Sequence, residues 1–367
     1  LPRPPRQPDV PKPDAPEPDA PEPHAPEPVA SEMEIFLVCA PGLEAVLAEE
    51  ARALGFAAPE ALPGGVRIRG GWPEVWRANL ELRGAGRVLA RIASFRALHL
   101  AQLDRRARRV DWAALLPPGI ALRVEASCSQ SRIYHAGAAA ERIGRALVET
   151  AGVRLAAATD AEEALRVMAR IDDDLCTLSL DTSGAPLHRR GHKVAVGKAP
   201  LRETLAALFL RACGYAGTEP VVDPMCGSGT FVLEAAEIAA GLAPGRDRRF
   251  AFEALASFDP AAWDRMRAPG PSRPLPFRCL GSDRDSGVVR MAAENAARAG
   301  VADLVTFARL AVSDAVPPEG PPGLVMVNPP YGARIGERFA AWGDGGTNNA
   351  VAKAAAAAEV ALFFKPI

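Results

Sequence analysis

The chain has 367 residues, a formal net charge of −1, 49% hydrophobic residues and 24% charged ones, a folded composition that suits two or three domains. Six cysteines at 39, 128, 176, 213, 226 and 279, with no CxxC among them, argue against a disulfide framework and a zinc module. No apolar run approaches the roughly 20 residues that span a bilayer, and the start lacks a signal peptide's cationic and apolar parts, so a soluble, cytoplasmic protein is expected.

Twelve of the 35 prolines fall in residues 1–30, where Ala-Pro-Glu-Pro recurs at Ala15, Ala20 and Ala25. Proline at alternate positions blocks helix and ladder alike, so 1–32 reads as an extended, solvated tail or a docking peptide. The first residue is Leu, and Met33 reads as the natural beginning. Residues 34–39 then form a strand, 43–54 a helix ended by Gly55, 66–69 a strand, 73–82 a helix and 88–95 a strand. A helix near 101–109, a strand at 120–126, a helix at 138–150 and strands at 165–171 and 176–180 follow. Short mixed strands and helices of this kind predict one or two small α+β units. Residues 185–200 read as a Gly/Pro/basic connector.

From Leu201 the pattern changes to strand–helix alternation. It gives a helix at 201–213, a strand at 220–223, a turn at 224–229, a helix from Thr230, a strand at 277–281, a helix at 286–299, and strands at 304–307 and 324–327. Apolar strands alternating with helices predict a doubly wound parallel sheet, interrupted by a Pro/Arg-rich insertion at 241–276.

Between the first of these strands and its helix lies Asp223-Pro224-Met225-Cys226-Gly227-Ser228-Gly229-Thr230. Paired glycines there let a ligand rest against backbone at the helix start. A dinucleotide fingerprint needs a third glycine where Val232 stands, and a ribose acid about 20 residues on. The next strand-ending acid is Asp283, 54 residues after Gly229, so NAD is disfavoured. No lysine follows Gly229, which excludes a P-loop. Asp283 can accept hydrogen bonds from two ribose hydroxyls, and Asp314 from an adenine amino group. At the fourth strand's end stands Asn328-Pro329-Pro330-Tyr331. The prolines stiffen the backbone, so the Asn and Pro carbonyls can accept both protons of a planar amine and free its lone pair for attack. Tyr331 offers a face to a flipped base.

On these two motifs residues 201–337 resemble the class I, S-adenosylmethionine-dependent methyltransferases that act on exocyclic amines. Residues 33–200 resemble the ferredoxin-like and THUMP region of RNA methyltransferases, through Ser131 to His135, Leu180 to Gly184, Leu187 to Gly191 and Ala199 to Thr204. Among them the bacterial 23S rRNA guanine-N2 enzymes are most similar. The resemblance implies an α/β fold: a Rossmann-like methyltransferase domain preceded by an α+β ferredoxin-like/THUMP module. It places the tail at 1–32, an RNA-binding region at 33–185, a linker at 186–200 and the catalytic domain at 201–367. That domain's end departs from relatives, through the Gly343 to Asn349 interruption and the alanine run 354–358, and an incomplete sheet is expected. S-adenosylmethionine would be held by Asp223, Cys226, Gly227, Gly229, Thr230, Asp283 and Asp314. Asn328, Pro329, Pro330 and Tyr331 would be catalytic, with no metal.

Between Arg83 and Arg109 eight arginines (83, 87, 91, 96, 105, 106, 108, 109) face one acid, Asp104. Such a local excess in a near-neutral chain is a candidate phosphate-binding surface, or else a solvated face. Arg105, Arg106, Arg108, Arg109, Arg132, Arg189 and Arg190 are the expected RNA contacts, structured RNA being the partner. Transfer RNA guanine N2, adenine N6, a DNA adenine enzyme and a noncatalytic RNA-binding protein stand as alternatives.

Overall fold

A computed structural model of the chain describes residues 32–157, 164–191, 201–270, 274–314 and 322–328. The expected tail, apart from Glu32, the end of the linker and everything from Pro329 on lie outside the described residues.

The first half is one sheet, not two units. Strands β1 (Met33–Val38), β2 (Ala57–Leu62), β3 (Gly65–Gly70), β4 (Arg87–Arg96), β5 (Ala121–Ser129), β6 (Arg154–Leu155), β7 (Leu165–Asp172) and β8 (Leu175–Asp181) lie in the order β2-β3-β1-β4-β8-β7-β5-β6. The antiparallel β4–β8 pair, from Leu89↔Asp181 to Arg96↔Leu175, joins the ferredoxin-like strands to the rest. Both strands that the sequence did not announce are edges. β2 carries Pro59 and a register shift between Ala57 and Glu60, and β6 has two residues. Short, bulged or proline-bearing edges resist pairing with other chains, and for the same reason give no period-2 signal.

Four helices share one core with this sheet: α1 (Glu44–Ala53), α2 (Trp72–Glu81), α3 (Leu100–Ala107) and α4 (Ala136–Ala151). Each contributes apolar residues at helical spacing, such as Leu47, Ala48 and Ala51 of α1 and Ala139, Ile143 and Leu147 of α4, against Ile35, Val88, Val167 and Leu178 of the strands. Local signals fix the ends. Glu74 accepts from the Gly71 amide at 2.7 Å at the start of α2, and Gly152 closes α4 with φ +62°.

The second half holds α5 (Glu203–Ala212), β9 (Val221–Asp223), α6 (Thr230–Ala240), α7 (Pro260–Arg267), β10 (Cys279–Asp283), α8 (Ser286–Ala299), β11 (Val305–Arg309) and β12 (Leu324–Val325). The described strands are parallel, in the order β11-β10-β9-β12. The chain leaves β9 toward β10 and later returns on β9's other side as β12. Crevices for ligands open at the carboxyl ends of strands at such a reversal.

The 241–276 segment is a joint and not a loose insertion. Phe250, Phe252, Leu255 and Trp263 are buried in the core of the first half, with Phe252 edge-on to Trp263 at 5.0 Å and Trp76 stacked on Phe252 at 6.0 Å. Beside them Arg83 reaches Glu234 at 2.7 Å and Glu237 at 3.3 Å, Arg190 reaches Glu234 at 3.1 Å, and Arg246 reaches Glu237 at 2.8 Å. The expected linker is packed over its described part. Leu187 is 2% exposed, and Arg248 donates to the carbonyls of Ala185, Pro186 and Arg189.

Candidate active site

β9 ends in Asp223, which is 2% exposed and accepts from the Met225 amide at 3.0 Å. Burial, partly offset by that amide and reinforced by Asp283, pushes its carboxyl up to about 7. The chain then turns sharply. Cys226 donates its amide to the Ser282 carbonyl of β10 at 2.9 Å, Gly229 donates to the Cys226 carbonyl at 2.8 Å, and α6 begins at Thr230. Burial also pushes the Cys226 thiol up, so it is a neutral wall of the turn and not a nucleophile.

Two glycines in the turn answer to different constraints. Gly227 has φ +52°, and a Cβ there would meet nothing within 4 Å, so its face is open. Gly229 has φ +87°, and a Cβ would come to 3.0 Å from the Phe307 ring and 3.1 Å from Ala292. One glycine leaves room for a ligand; the other lets α6 close on the sheet.

Asp283, at the end of β10, ties the elements together. One oxygen accepts from Gly227 at 3.1 Å and the other from Asp285 at 3.0 Å. Each carboxylate oxygen keeps a further lone pair, and the side chain is partly exposed, so it can still receive ribose hydroxyls. Asp314 is exposed in a short 3₁₀ turn after β11, with the Ser313 hydroxyl at 3.0 Å. On β9's other side, Val325 pairs with Val222 and the Met326 amide donates to the Val222 carbonyl at 2.9 Å. Asn328 follows two residues later, half-buried, at the same carboxyl-terminal edge as Asp223. Pro329, Pro330 and Tyr331 lie outside the described residues.

Asn295 was not anticipated from the sequence. It is fully buried on α8, and its amide donates to the Ser228 carbonyl at 3.2 Å, bracing the turn from behind. Its signal was a polar residue on the apolar stripe of Ala292, Ala296 and Ala299. Phe307 was read only as strand, yet its ring fills the space that Gly229 and Gly281 leave.

The expected RNA contacts divide. Arg105 is exposed on α3, Arg106 is half-exposed, and Arg109 is exposed just beyond the helix. Arg132 is 72% exposed in its side chain, and Arg189 is exposed. Arg108 lies between Asp104 and Glu149. Arg190 is a correction: it is 2% exposed and donates to the carbonyls of Leu187 and Arg83 and to Glu234, so its charge is used inside the protein. Arg83, Arg87 and Arg91 are likewise committed, to Glu234 and Glu237, to Asp181 and to Glu34.

Known proteins resemble this chain in sequence and fold. Residues 190–343 match the RMKL-like methyltransferase domain family, and 34–89 match the RlmL ferredoxin-like domain. "Putative RNA methyltransferase slr0064" of Synechocystis sp. is 33% identical over 318 residues, 85% of this chain and 83% of its own. The chain belongs to the RMKL-like methyltransferase family. "Ribosomal RNA large subunit methyltransferase K/L" of Pseudomonas aeruginosa is 36% identical over 325 residues, 84% of this chain but 45% of its own. The chain thus spans less than half the length of the K/L relatives it matches. Among solved structures, "a predicted N6-adenine-specific DNA methylase from Listeria monocytogenes" superposes with a TM-score of 0.80 at 29% identity, covering 90% of this chain and 88% of its own. "SMU.472, a putative methyltransferase complexed with SAH" gives 0.77 at 26%, covering 90% and 89%. The family makes the fold a methyltransferase domain with a parallel sheet, preceded by a ferredoxin-like module.

Proposed function

We propose that this chain transfers the methyl group of S-adenosylmethionine to the exocyclic amine of an RNA base, with guanine N2 of 23S rRNA as the target, in the cytoplasm. One observation carries the reading: the Asp223–Gly229 turn and Asn328 end adjacent parallel strands, β9 and β12, at the reversal of strand order. A donor held by the turn and a base amine held by Asn328 therefore meet over one sheet edge. The names of the K/L relatives support ribosomal RNA, and that of the Synechocystis relative supports RNA more generally. The Listeria neighbour's name favours adenine N6 as the second reading. Mass spectrometry of nucleosides from ribosomal RNA incubated with protein and cofactor decides between them: N2-methylguanosine is expected, and N6-methyladenosine alone would favour the second.

In this reading Gly227 and Gly229 shape the bed for the cofactor's methionine part, Asp283 holds its ribose and Asp314 its adenine. Asp223, Cys226 and Thr230 frame the turn.

The raised Asp223 carboxyl couples binding to pH. A cationic methionine group beside it favours the ionised form, so binding releases a proton near neutrality. Cofactor affinity is expected to rise from pH 6 to about pH 8 and then level off. Calorimetry in two buffers of different ionisation enthalpy measures the proton count, and Asp223→Asn should abolish it. Without ligand the sign is opposite: burial holds the folded carboxyl above the ordinary carboxylate range, so this group's contribution to stability falls as pH rises out of that range through about 7.

A further inference from the structure

The chain has three tyrosines. Tyr215 is buried with its hydroxyl on the Ala235 carbonyl at 3.1 Å, and Tyr331 ends the Asn328–Tyr331 motif expected to be catalytic. Tyr134 is 85% exposed. A single exposed aromatic needs no explanation by itself. Its setting supplies one, because the loop that carries it is pinned at several points. The Arg132 amide donates to Asp174 at 2.8 Å, and the Asp174 amide donates to the Ser131 hydroxyl at 3.0 Å. That hydroxyl in turn donates to the Ser129 carbonyl at 2.6 Å. On Tyr134's other side, His135 caps α4 by accepting from the Ala138 amide at 3.0 Å.

Three segments meet there at one end of the sheet: the loop after β5, the β7–β8 turn and the end of β4. The Ala97 amide donates to the Asp174 carbonyl at 2.8 Å, and Arg96 to the Asp173 carbonyl at 3.1 Å. The rim presents Arg96, Arg132 and Arg170, with side chains 65%, 72% and 62% exposed. Each faces an aspartate at or beside the turn: Asp173 at 3.7 Å, Asp174 at 4.0 Å and Asp172, the last residue of β7, at 3.0 Å. Local charge is therefore balanced, and electrostatic capture is left to the arginines of α3.

We propose that Tyr134 is a stacking platform for an unpaired RNA base, held ready at this rim. The inference rests on the RNA methyltransferase reading above. A ring carried on a pinned loop costs little backbone freedom on stacking, and every base offers it a π-face, so recognition is for single-stranded RNA without strong sequence preference. The exposed guanidiniums of the same rim can turn to the flanking phosphates or stack in their own right.

The charge balance makes the proposal separable from electrostatic binding. Affinity of the full chain for a ribosomal RNA hairpin with an unpaired loop, and for a short single-stranded oligoribonucleotide, is measured over a range of salt concentrations. Tyr134→Ala is expected to weaken binding roughly 5- to 100-fold at every salt concentration, to leave the slope against log salt unchanged, and to leave the melting temperature unchanged. Tyr134→Phe should bind as the wild type does. Unaltered affinity of Tyr134→Ala, a changed slope, or a lowered melting temperature would overturn the platform. If the wild-type chain bound neither RNA, the RNA reading itself would fail, and the platform with it.

Discussion

Glu234→Ala is expected to destabilise the protein by about 3–5 kcal/mol, the cost of leaving a buried charge without its partner. The carboxylate lies on α6, 2% exposed, one turn beyond the cofactor turn. It receives Arg83 and Arg190 together, and Arg83 also donates to the Leu242 carbonyl. Burial pushes Glu234 up, and the two guanidiniums reverse this and hold it below the usual carboxylate range. Its contribution is therefore present above the ordinary carboxylate range and lost as pH falls through the lower folded value. Urea denaturation of the variant at pH 7 and pH 4 measures both statements: a large loss at pH 7 and a smaller one at pH 4. A loss below 1 kcal/mol at pH 7 would mean that Glu237 and water replace Glu234. Because the cluster joins α6 to Arg83, between α2 and β4, and to Arg190, after β8, it also fixes where the first half stands relative to the Asp223–Gly229 turn.

This cluster shows where sequence reading stops. Arg83 belongs to the arginine-rich stretch, and composition made it a phosphate contact. Its acid partners lie 151 and 154 residues away, beyond any local pattern. Arg87 likewise meets Asp181 from the neighbouring strand, a pairing set by the β4–β8 register. Charge counts along a chain identify arginines but not their partners. Arg105 and Arg106 escaped this fate because α3 buries only Leu103 and Ala107 and turns its basic side outward.

The second half was more legible because its chemistry is local. Asp223 to Thr230 is one continuous turn, and Asp283 ends a strand of apolar character, so each could be read within a few residues. The same locality hid Asn295 and Phe307, whose roles arise only when α8 and β11 pack behind the turn. The 241–276 segment was misjudged for a different reason. Its prolines and arginines suggest a loop, but Phe250, Phe252, Phe258 and Trp263 are a large aromatic share for a chain with 6% aromatics. Aromatics of that density seek burial, and they find it in the other half's core.

Asn328→Ala is expected to lower methyl transfer by roughly 10²–10³-fold while leaving cofactor affinity near that of the wild type. The asymmetry follows from position. Asn328 lies past the end of β12, across β9 from Asp283, so in the proposed complex the cofactor's ribose and methionine parts would engage the β9–β10 side of the sheet. In that complex the amide of Asn328 would be left for the incoming base. In the proposed reaction its side-chain carbonyl accepts a hydrogen bond from the target amine, which turns the nitrogen lone pair out of conjugation with the ring as that lone pair takes the methyl group. The donor sulfur keeps the electrons of the broken S–C bond, and the methylated amine then gives its extra proton to solvent. That hydrogen bond strengthens as the amine becomes cationic, so its removal falls on turnover and not on ground-state binding. Single-turnover transfer and cofactor calorimetry on the same preparation separate the two effects. Asn328→Asp sharpens the test, because a carboxylate still accepts but cannot donate, and a base held partly by the Asn amino group loses that contact. Full turnover in Asn328→Ala would place amine activation elsewhere. A matched loss of cofactor affinity would move Asn328 into the donor site.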